Sequence, residues 1–282
     1  MQIIEDKQFD EERALYGLKD ALAERCTFAG EADGESAFKE SRGVKVKNCD
    51  FRLRYPFWHV SDFEIVDSKM TETCRAALWY CEKGLISGTK LGGIKALREC
   101  HNIELKACDI NSSEFGWKSE SIKVTGSSIV SEYLFLDSRD ITLENVEMSG
   151  KYSFQYIENL TIDNSRLDTK DAFWHTKNTT VRDCVIKGEY LGWYSQNLTL
   201  INCHIIGTQP LCYCKGLKLV DCTMRDCDLA FEYSDVNATI IGHVDSVKNP
   251  LSGKITADSV GKIIRDNPAY ECLGEVLIRG EG

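Results

Sequence analysis

An internal repeat of nineteen residues runs through most of this chain. Apolar segments of one pattern start at Ile103, Ile122, Ile141, Leu160, Thr179, Leu198, Leu217 and Val236, each nineteen residues after the last, and equivalent segments start upstream at Gly84, Phe63 and Val44. The coil from Phe63 carries two extra residues, and a looser coil starts near Ala21. Such a repeat over residues 21–260 predicts a solenoid, because each unit can bury its apolar face only against its neighbours.

Numbering each coil from 1 to 19 predicts its internal structure. Positions 1, 3, 6 and 8 are apolar or small in most coils, and this period-2 alternation indicates short half-buried strands. Positions 5 and 19 hold mostly Asn, Asp and Gly, which tolerate left-handed backbone and therefore predict corners. A third strand is expected at positions 12–17. We predict an all-β, right-handed parallel β-helix with triangular coils and three parallel sheets.

The ends of the repeat predict small caps. Residues 1–20 form the expected N-terminal cap, residues 21–258 the β-helix, and residues 259–282 the C-terminal cap. Within the last segment, the run from Ser259 to Asp266 is expected to form a short helix.

Bulk properties exclude some classes of partner. The net charge of −10 argues against nucleic acid or an anionic membrane surface, which both require clustered Lys and Arg. We see neither an apolar run long enough to span a membrane nor a secretory signal, so we expect a cytoplasmic protein. No cofactor or metal motif is apparent.

The thirteen cysteines do not indicate a disulfide framework, because their number is odd and the chain is large. Nine of them fall at positions 6 and 17, namely Cys26, Cys49, Cys108, Cys184, Cys203, Cys222, Cys81, Cys100 and Cys214. Both positions otherwise hold small or apolar residues. We therefore expect ladders of buried free thiols, which suit a reducing compartment.

The direction of the side chains at positions 12–17 decides where a binding surface lies. Position 15 holds all five tryptophans (Trp58, Trp79, Trp117, Trp174, Trp193), together with Arg98, Leu136, Gln155, Cys212 and Phe231. Position 16 is more polar and would be costly to bury. Strict alternation then predicts that positions 13, 15 and 17 face inward and positions 12, 14 and 16 face solvent. Arg98 would lie between the indoles of Trp79 and Trp117, a favourable cation–π arrangement. The opposite assignment, with the tryptophans outside, is the alternative.

This assignment predicts an exposed aromatic and charged strip. The candidate ligand-binding residues are His59, Tyr80, Phe135, Phe154, Tyr156, Phe173, His175, Tyr194 and Tyr213. Exposed apolar patches of this extent mark interaction sites, and regularly spaced rings suit stacking against sugars. Gly116 and Gly192 are expected to leave gaps that a ligand could enter. Alternatively, a terminal segment or a second subunit covers the strip.

Three residues at position 16 are candidates for catalysis. Glu99, Lys118 and Asp137 stand on consecutive coils, which would place the two carboxylates about 9.6 Å apart at two strand spacings. Inverting glycosidases use separations of about 6.5–9.5 Å, and Lys118 could instead serve as the base of a β-elimination. The alternative is a surface column of salt bridges without catalytic function.

The chain resembles known families in specific segments. Its coil pattern is similar to that of the pectate-lyase-like right-handed β-helices. The runs Tyr55-Pro-Phe-Trp-His59, Arg75-Ala-Ala-Leu-Trp-Tyr80, Lys95-Ala-Leu-Arg98, Asp171-Ala-Phe-Trp-His175 and Gly192-Trp-Tyr194 resemble an uncharacterised bacterial family of unknown function. This resemblance covers nearly the whole chain and implies a β-helix without an established activity. The broader class implies polysaccharide lyases and hydrolases, but only scattered Asp137 and Asp171 stand where that class clusters its aspartates.

Two hypotheses of different classes follow. The first is a carbohydrate-binding or carbohydrate-active protein that uses the strip for an oligosaccharide; if it is an enzyme, it would be a lyase or glycoside hydrolase. The second is a non-catalytic scaffold that uses the same strip to self-associate as a homo-oligomer or to bind a protein partner. Fold alone does not choose between them.

Overall fold

A computed structural model describes residues 1–31, 34–266 and 269–280, and it confirms an all-β parallel β-solenoid, consistent with the right-handed winding predicted from the sequence. The described part contains many short strands and one short 3₁₀-helix, Glu72–Cys74. The chain divides into two compact units, Met1–Thr142 and Leu143–Gly282. Each unit is a stack of parallel coils.

In the first unit, two sheets run along the coils. The first sheet covers positions 18 to 4 and contains Gln2–Glu5, Ala21–Glu24, Lys45–Lys47, Ser61–Val66, Glu82–Ser87, His101–Lys106 and Glu120–Thr125. The second sheet covers positions 7 to 9 and contains Gln8–Phe9, Thr27–Phe28, Asp50–Phe51, Lys69–Met70, Lys90–Gly92, Asp109–Asn111 and Ser128–Ser131. The strand Arg139–Glu144 contains the boundary between the units.

The second unit repeats this arrangement. Its first-sheet strands are Glu158–Asp163, Lys177–Arg182, Gln196–Ile201, Leu217–Arg225, Asp235–Ile240, Ser252–Ala257 and Glu275–Ile278. Its second-sheet strands are Glu147–Gly150, Arg166–Asp168, Val185–Lys187 and His204–Ile206, which pairs with the second half of Leu217–Arg225. A separate two-stranded sheet joins His243–Lys248 and Ser259–Ile264.

The register of the strands confirms the nineteen-residue repeat. Ile103 pairs with Ile122 in the first unit, and Thr179 pairs with Leu198 in the second. Gly84 pairs with Phe63 across twenty-one residues, as the two extra residues of that coil require. The corner predictions also hold: the residues at position 5 from Asn48 to Asp221 have positive φ, and so do most residues at position 19.

The third side of the coil, positions 12–17, differs from the predicted strand. A three-stranded sheet forms only from Phe57–Trp58, Leu78–Trp79 and Leu97–Arg98; in later coils this side is a series of turns. In those turns every second residue has positive φ, as at Tyr152, Phe154 and Tyr156. The backbone is therefore not extended there, and successive side chains need not alternate between two faces.

Because of these turns, the predicted inside and outside of the third side are wrong at positions 14 and 15, although they hold at positions 13, 16 and 17. The position-14 side chains that were expected to face solvent are fully buried: Phe57, Leu78, Leu97, Phe135, Phe154, Phe173 and Leu211. All five tryptophans at position 15 are instead half-buried at the surface. Positions 13, 14 and 17 face inward, and positions 15 and 16 face outward together.

The coil from Leu217 contains a further shift in register. The amide of Tyr233 donates to the carbonyl of Asn249, as the amide of Tyr213 donates to that of Glu232. Phe231 is buried and has a φ of 66°, like Leu211 with a φ of 62°. Ser234 accepts a hydrogen bond from the amide of Cys214, twenty residues away. Phe231 therefore belongs to the buried column, not to the tryptophan column in which the repeat count placed it.

Phenylalanine rings fill the interior of both units. In the first, Phe28 and Phe51 stack with centroids 4.5 Å apart, and Phe38 and Phe57 stack at 5.1 Å. In the second, Phe154 and Phe173 stack at 5.2 Å. Burial of each ring contributes roughly 1.5–3 kcal/mol, so these columns are a main source of stability.

The glycines at position 14 do not open gaps to solvent, contrary to the sequence-based expectation. A Cβ on Gly116 would lie 2.3 Å from the ring of Phe135, and one on Gly192 would lie 2.8 Å from the side chain of Leu211. The missing side chains would point inward, and neighbouring core residues occupy that space.

The small residues at positions 6 and 17 complete hydrogen bonds where the backbone turns. The hydroxyl of Ser68 accepts a hydrogen bond from the amide of Cys49 at 3.1 Å and donates to the carbonyl of Val66 at 2.8 Å. The thiol of Cys184 makes the same two contacts with Ser165 and Arg182. Cys, Ser and Thr are thus interchangeable here because each combines a small volume with a donor and an acceptor.

The ends of the chain differ from the predicted caps. The strand Gln2–Glu5 pairs with Ala21–Glu24, and Glu275–Ile278 pairs with Ser252–Ala257, so the parallel ladder extends beyond residues 21 and 258. The segment expected to form a helix is the strand Ser259–Ile264. In the described residues, no helix is long and apolar enough to cross a membrane.

The cysteines give a first testable prediction. All thirteen are free thiols and twelve are buried; only Cys272 is partly accessible. Burial raises the pKa of the thiols of Cys74 and Cys227 to about 12, which suppresses the reactive thiolate. We expect a thiol reagent such as Ellman's reagent to modify at most one cysteine of the native protein rapidly and all thirteen in urea. Rapid modification of several native thiols would contradict the buried ladders.

Matched substitutions test which side chains of the third side face the core and which face solvent. Phe154 is fully buried, whereas Tyr156, two residues later, is 56% exposed. We expect Phe154→Ala to lower the free energy of unfolding by about 3–5 kcal/mol and Tyr156→Ala to lower it by less than about 1 kcal/mol. Urea denaturation of the two variants measures both values. The reverse order would restore the alternation predicted from the sequence.

Candidate functional site

The outward-facing side chains at positions 15 and 16 form what we call the aromatic strip. In the second unit its position-16 residues are Tyr156, His175, Tyr194 and Tyr213. Successive ring centroids lie 4.8, 5.0 and 4.8 Å apart, and the planes are within 13° of parallel. Tyr233 continues the column at 5.8 Å with a tilted ring. In-register stacking of coils places each ring directly beside the next.

The side chains at position 15 form a second column beside it. The indoles of Trp174 and Trp193 stack at 5.4 Å. Their Nε1 atoms donate to the backbone carbonyls of Tyr190 and Gln209, at 2.6 and 2.8 Å. Gln155 makes the equivalent bond to the carbonyl of Asp171. These three position-15 side chains are therefore tied to the following coil, sixteen residues on, which fixes their orientation.

The first unit carries a more charged version of the strip. His59 and Tyr80 stack at 4.9 Å, and Trp58 and Trp79 stack at 5.3 Å. The guanidinium of Arg98 lies 5.9 Å from the ring of Trp79 and 5.7 Å from that of Trp117, which confirms the predicted sandwich.

Only part of the predicted set of ligand-binding residues lies at the surface. His59, Tyr80, Tyr156 and Tyr194 are exposed, and His175 and Tyr213 are half-buried at the same surface. Phe135, Phe154 and Phe173 are buried and cannot contact a ligand, so their inclusion was wrong. They were included because alternation was assumed through residues that are left-handed turns.

The three catalytic candidates follow one another along position 16 of the first unit. The amide of Glu99 donates to the carbonyl of Trp117, and that of Lys118 donates to Leu136. The carboxylate of Glu99 pairs with Arg98 at 3.1 Å. Among the described residues, Lys118 forms an ion pair with neither Glu99 nor Asp137. The salt-bridge column considered as the alternative is therefore not formed, while a catalytic role stays a prediction.

One carboxyl group and one hydroxyl group near the aromatic strip have a raised pKa. Burial raises the pKa of Asp171, which lies at position 12 and is 7% exposed. Burial and the nearby carboxylate of Glu232 raise the pKa of Tyr213, so its hydroxyl remains a hydrogen-bond donor at neutral pH. Asp171 was expected on the exposed face, but the turn at position 12, where its φ is 52°, directs it inward.

A groove outside the strip was not anticipated from the sequence. It has a volume of about 580 Å³ and crosses the outer face of the first sheet, between Gly43 and Lys123. The strands bend there at Asp62, Lys83 and Asn102, which all have positive φ. Its lining alternates in charge, with Lys45 paired to Glu64 at 3.0 Å. The Asn, Asp and Gly residues at position 19 predicted this bend, but they did not predict a concave surface.

Across the part of the chain that the structure describes, no group of three or more His, Cys, Asp or Glu side chains is arranged to hold a metal ion. The aromatic strip presents rings, hydroxyls, imidazoles and a few charged groups.

The hydrogen bonds between coils predict that two tryptophan substitutions lower the free energy of unfolding by different amounts. Trp193 Nε1 has a backbone acceptor, whereas the buried Nε1 of Trp79 has none among the described residues. Both indoles stack on a neighbouring indole. We expect Trp193→Phe to be more destabilising than Trp79→Phe by about 1–3 kcal/mol, because it leaves the carbonyl of Gln209 with only the long contact from the thiol of Cys212 at 3.6 Å. Equal losses in urea denaturation would count against this role of the indole.

Comparison with solved structures gives distant likenesses only. The A-module of a mannuronan C-5 epimerase from Azotobacter vinelandii is 10% identical, with a TM-score of 0.42, over 84% of this chain and 80% of that one. A mannuronic-acid-specific polysaccharide family 6 lyase from human gut microbiota is 9% identical, with a TM-score of 0.42, over 99% and 87%. The Dettilon tailspike protein is 11% identical, with a TM-score of 0.42, over 98% and 62%.

Likenesses this distant do not indicate a ligand or a reaction for this chain. No curated protein sequence matches it at a significant level. A family model does match, over residues 2–276 and hence nearly the whole repeat. The chain therefore belongs to the family described as "Protein of unknown function (DUF3737)".

Proposed function

We propose that the protein is a carbohydrate-binding protein that holds an oligosaccharide against the aromatic strip of its second unit. The observation that supports this proposal is the column of outward-facing rings at Tyr156, His175, Tyr194 and Tyr213, stacked 4.8–5.0 Å apart. Tyr156 is 56% and Tyr194 is 42% exposed. Large exposed rings in a continuous row are typical of a recognition surface.

The stacking geometry leaves ring surface available to a sugar. Carbon atoms are in best contact at about 3.5–4.0 Å, so nearly parallel rings whose centroids lie 4.8–5.0 Å apart are in contact only when they are offset. An offset ring exposes one edge and part of one face. Apolar C–H groups of a pyranose could pack on these faces, while tyrosine hydroxyls and the imidazole of His175 bond its hydroxyls.

The strip is also ordered before any ligand binds. Trp174 and Trp193 are held by hydrogen bonds to the backbone of the next coil, and the outer rings stack on one another. Side chains that are already fixed lose little rotamer entropy on binding. A preformed row is therefore suited to an extended ligand that offers similar groups at regular intervals.

The same composition also supports the second candidate function, a surface for self-association or a protein partner. Tyr and Trp contribute most of the binding energy in many protein interfaces. The rigid stack of Tyr194 on His175 and Tyr213 is compatible with such an anchor. The two functions differ in what occupies the strip, so one set of variants can separate them.

Isothermal titration calorimetry against a panel of neutral and acidic oligosaccharides tests the proposal. We expect the double variant Tyr156→Ala/Tyr194→Ala to weaken binding at least tenfold, which corresponds to about 1.4 kcal/mol, because it removes two ring contacts worth about 0.5–1.5 kcal/mol each. Tyr16→Ala is the matched control, since Tyr16 is 51% exposed in the other unit. It should leave binding unchanged.

Sedimentation analysis of the same proteins supplies the opposing outcome. If no oligosaccharide binds, and the wild type forms a dimer that Tyr156→Ala/Tyr194→Ala dissociates while Tyr16→Ala does not, the strip is an interface and the carbohydrate proposal fails. Binding that is unchanged in the double variant would also refute it, because the ligand would then lie elsewhere.

A further inference from the structure

A second concave feature lies in the first unit and shares no residue with the proposed oligosaccharide site. It is an open pocket of about 410 Å³ at the corner between the second sheet and the third side. Arg52, Leu53, Arg54, Glu72, Arg75 and Ile94 contribute to its lining. Its size falls within the range of small-molecule sites, about 300–1,000 Å³.

The two extra residues of the coil from Phe63 build one wall of this pocket. The insertion falls at the three-residue 3₁₀-helix Glu72–Cys74. The hydroxyl of Thr73 donates to the carbonyl of Arg52 at 2.7 Å, and the thiol of Cys74 donates to the carbonyl of Phe51 at 3.2 Å. These bonds tie the wall to the preceding coil.

The following coil is shaped to accommodate this wall. A Cβ on Gly92 would lie 2.8 Å from the carbonyl oxygen of Met70, and one on Gly93 would lie 2.5 Å from that of Arg75. Gly93 also has φ of 107°, which side chains rarely allow. Two glycines thus let the backbone pass closely beneath the insertion and bring Ile94 to the pocket.

Among the described residues, one guanidinium group of the lining has no carboxylate partner and can receive an anion. Three guanidinium groups and one carboxylate, that of Glu72, contribute to it, in a molecule whose net charge is −10. Arg52 pairs with Asp50 at 2.6 Å and Arg54 with Glu35 at 3.6 Å, which position these two groups. Within residues 1–31, 34–266 and 269–280, Arg75 has no ion pair. Its guanidinium is therefore available for a bidentate contact to an oxyanion.

The rest of the lining is apolar. Ile94 is 53% exposed, although it is a large aliphatic residue, and Leu53 is half-buried beside it. An aliphatic floor with a few charged groups at its margin is the usual composition of a site for a small organic molecule.

We propose that this pocket binds a small amphiphilic organic anion, whose oxyanion group is held by Arg75 between Arg52 and Arg54 and whose apolar body lies against Leu53 and Ile94. The chemistry is that of a carboxylate or a phosphate or sulfonate ester group attached to a ring or short chain. This site is independent of the oligosaccharide site proposed above.

Fluorescence titration of the full chain with 1-anilinonaphthalene-8-sulfonate, an amphiphilic anion, tests the proposal. We expect one saturable site, about tenfold weaker in Arg75→Gln and also weaker in Ile94→Ser. Arg75→Lys should recover part of the affinity, because it restores the charge. Arg182→Gln is the matched control, since Arg182 is an exposed arginine of the second unit; it should bind as the wild type does. Near-ultraviolet circular dichroism verifies that each variant is folded.

Competition experiments identify the head group. Benzoate and phenyl phosphate should displace the dye, and their relative potency distinguishes a carboxylate from a phosphate ligand, whereas neutral benzyl alcohol should not displace it. The proposal is overturned if the dye shows no saturable site, if Arg75→Gln binds it as tightly as the wild type, or if benzyl alcohol competes as well as benzoate.

Discussion

In-register pairing of consecutive coils is the interaction on which this structure depends. Each amide of a sheet strand donates to the coil before or after it, as at Ile103 and Ile122 in one unit and Thr179 and Leu198 in the other. Because the register holds over many coils, residues at the same position form columns. Buried phenylalanines, thiols and hydroxyls, and outer tyrosines each follow from this one constraint. A column of like residues gains its stability from contacts between neighbours.

The left-handed residues of the third side give the solenoid its unusual surface. An L-residue in this conformation costs roughly 1–2 kcal/mol, and Phe154, Phe173 and Tyr156 all adopt it. Burial of the two phenylalanines and stacking of the tyrosine offset that cost. Since the turns direct positions 15 and 16 outward together, they create two adjacent columns of rings where a regular strand would expose only one.

Two concave surfaces appear in the first unit. The groove on the first sheet lies over position-19 bends that belong to the regular repeat, whereas the arginine-lined pocket forms at the two-residue insertion around Glu72–Cys74. The uninterrupted coils of the second unit carry the even row from Tyr156 to Tyr213 instead. A solenoid thus combines regular rows of side chains with local irregularities.

The sequence by itself determined the repeat length, the parallel solenoid, the corners at positions 5 and 19, and the buried columns of thiols. These follow from periodicity and from residues such as Asn48 and Asp67 whose backbone preferences are local. It also placed Arg98 correctly between Trp79 and Trp117, since column neighbours follow from the repeat alone.

Only the tertiary structure decided which side chains of the third side face solvent. Aromatic residues such as Phe154 and Tyr156 do not signal a left-handed backbone locally, and their conformation is imposed by packing against adjacent coils. The burial of Phe135, the exposure of the tryptophans and the strand at Ser259–Ile264 therefore escaped sequence reasoning. Periodicity reveals which residues share a column. Whether that column faces the core or the solvent depends on backbone dihedral angles, which non-local contacts select.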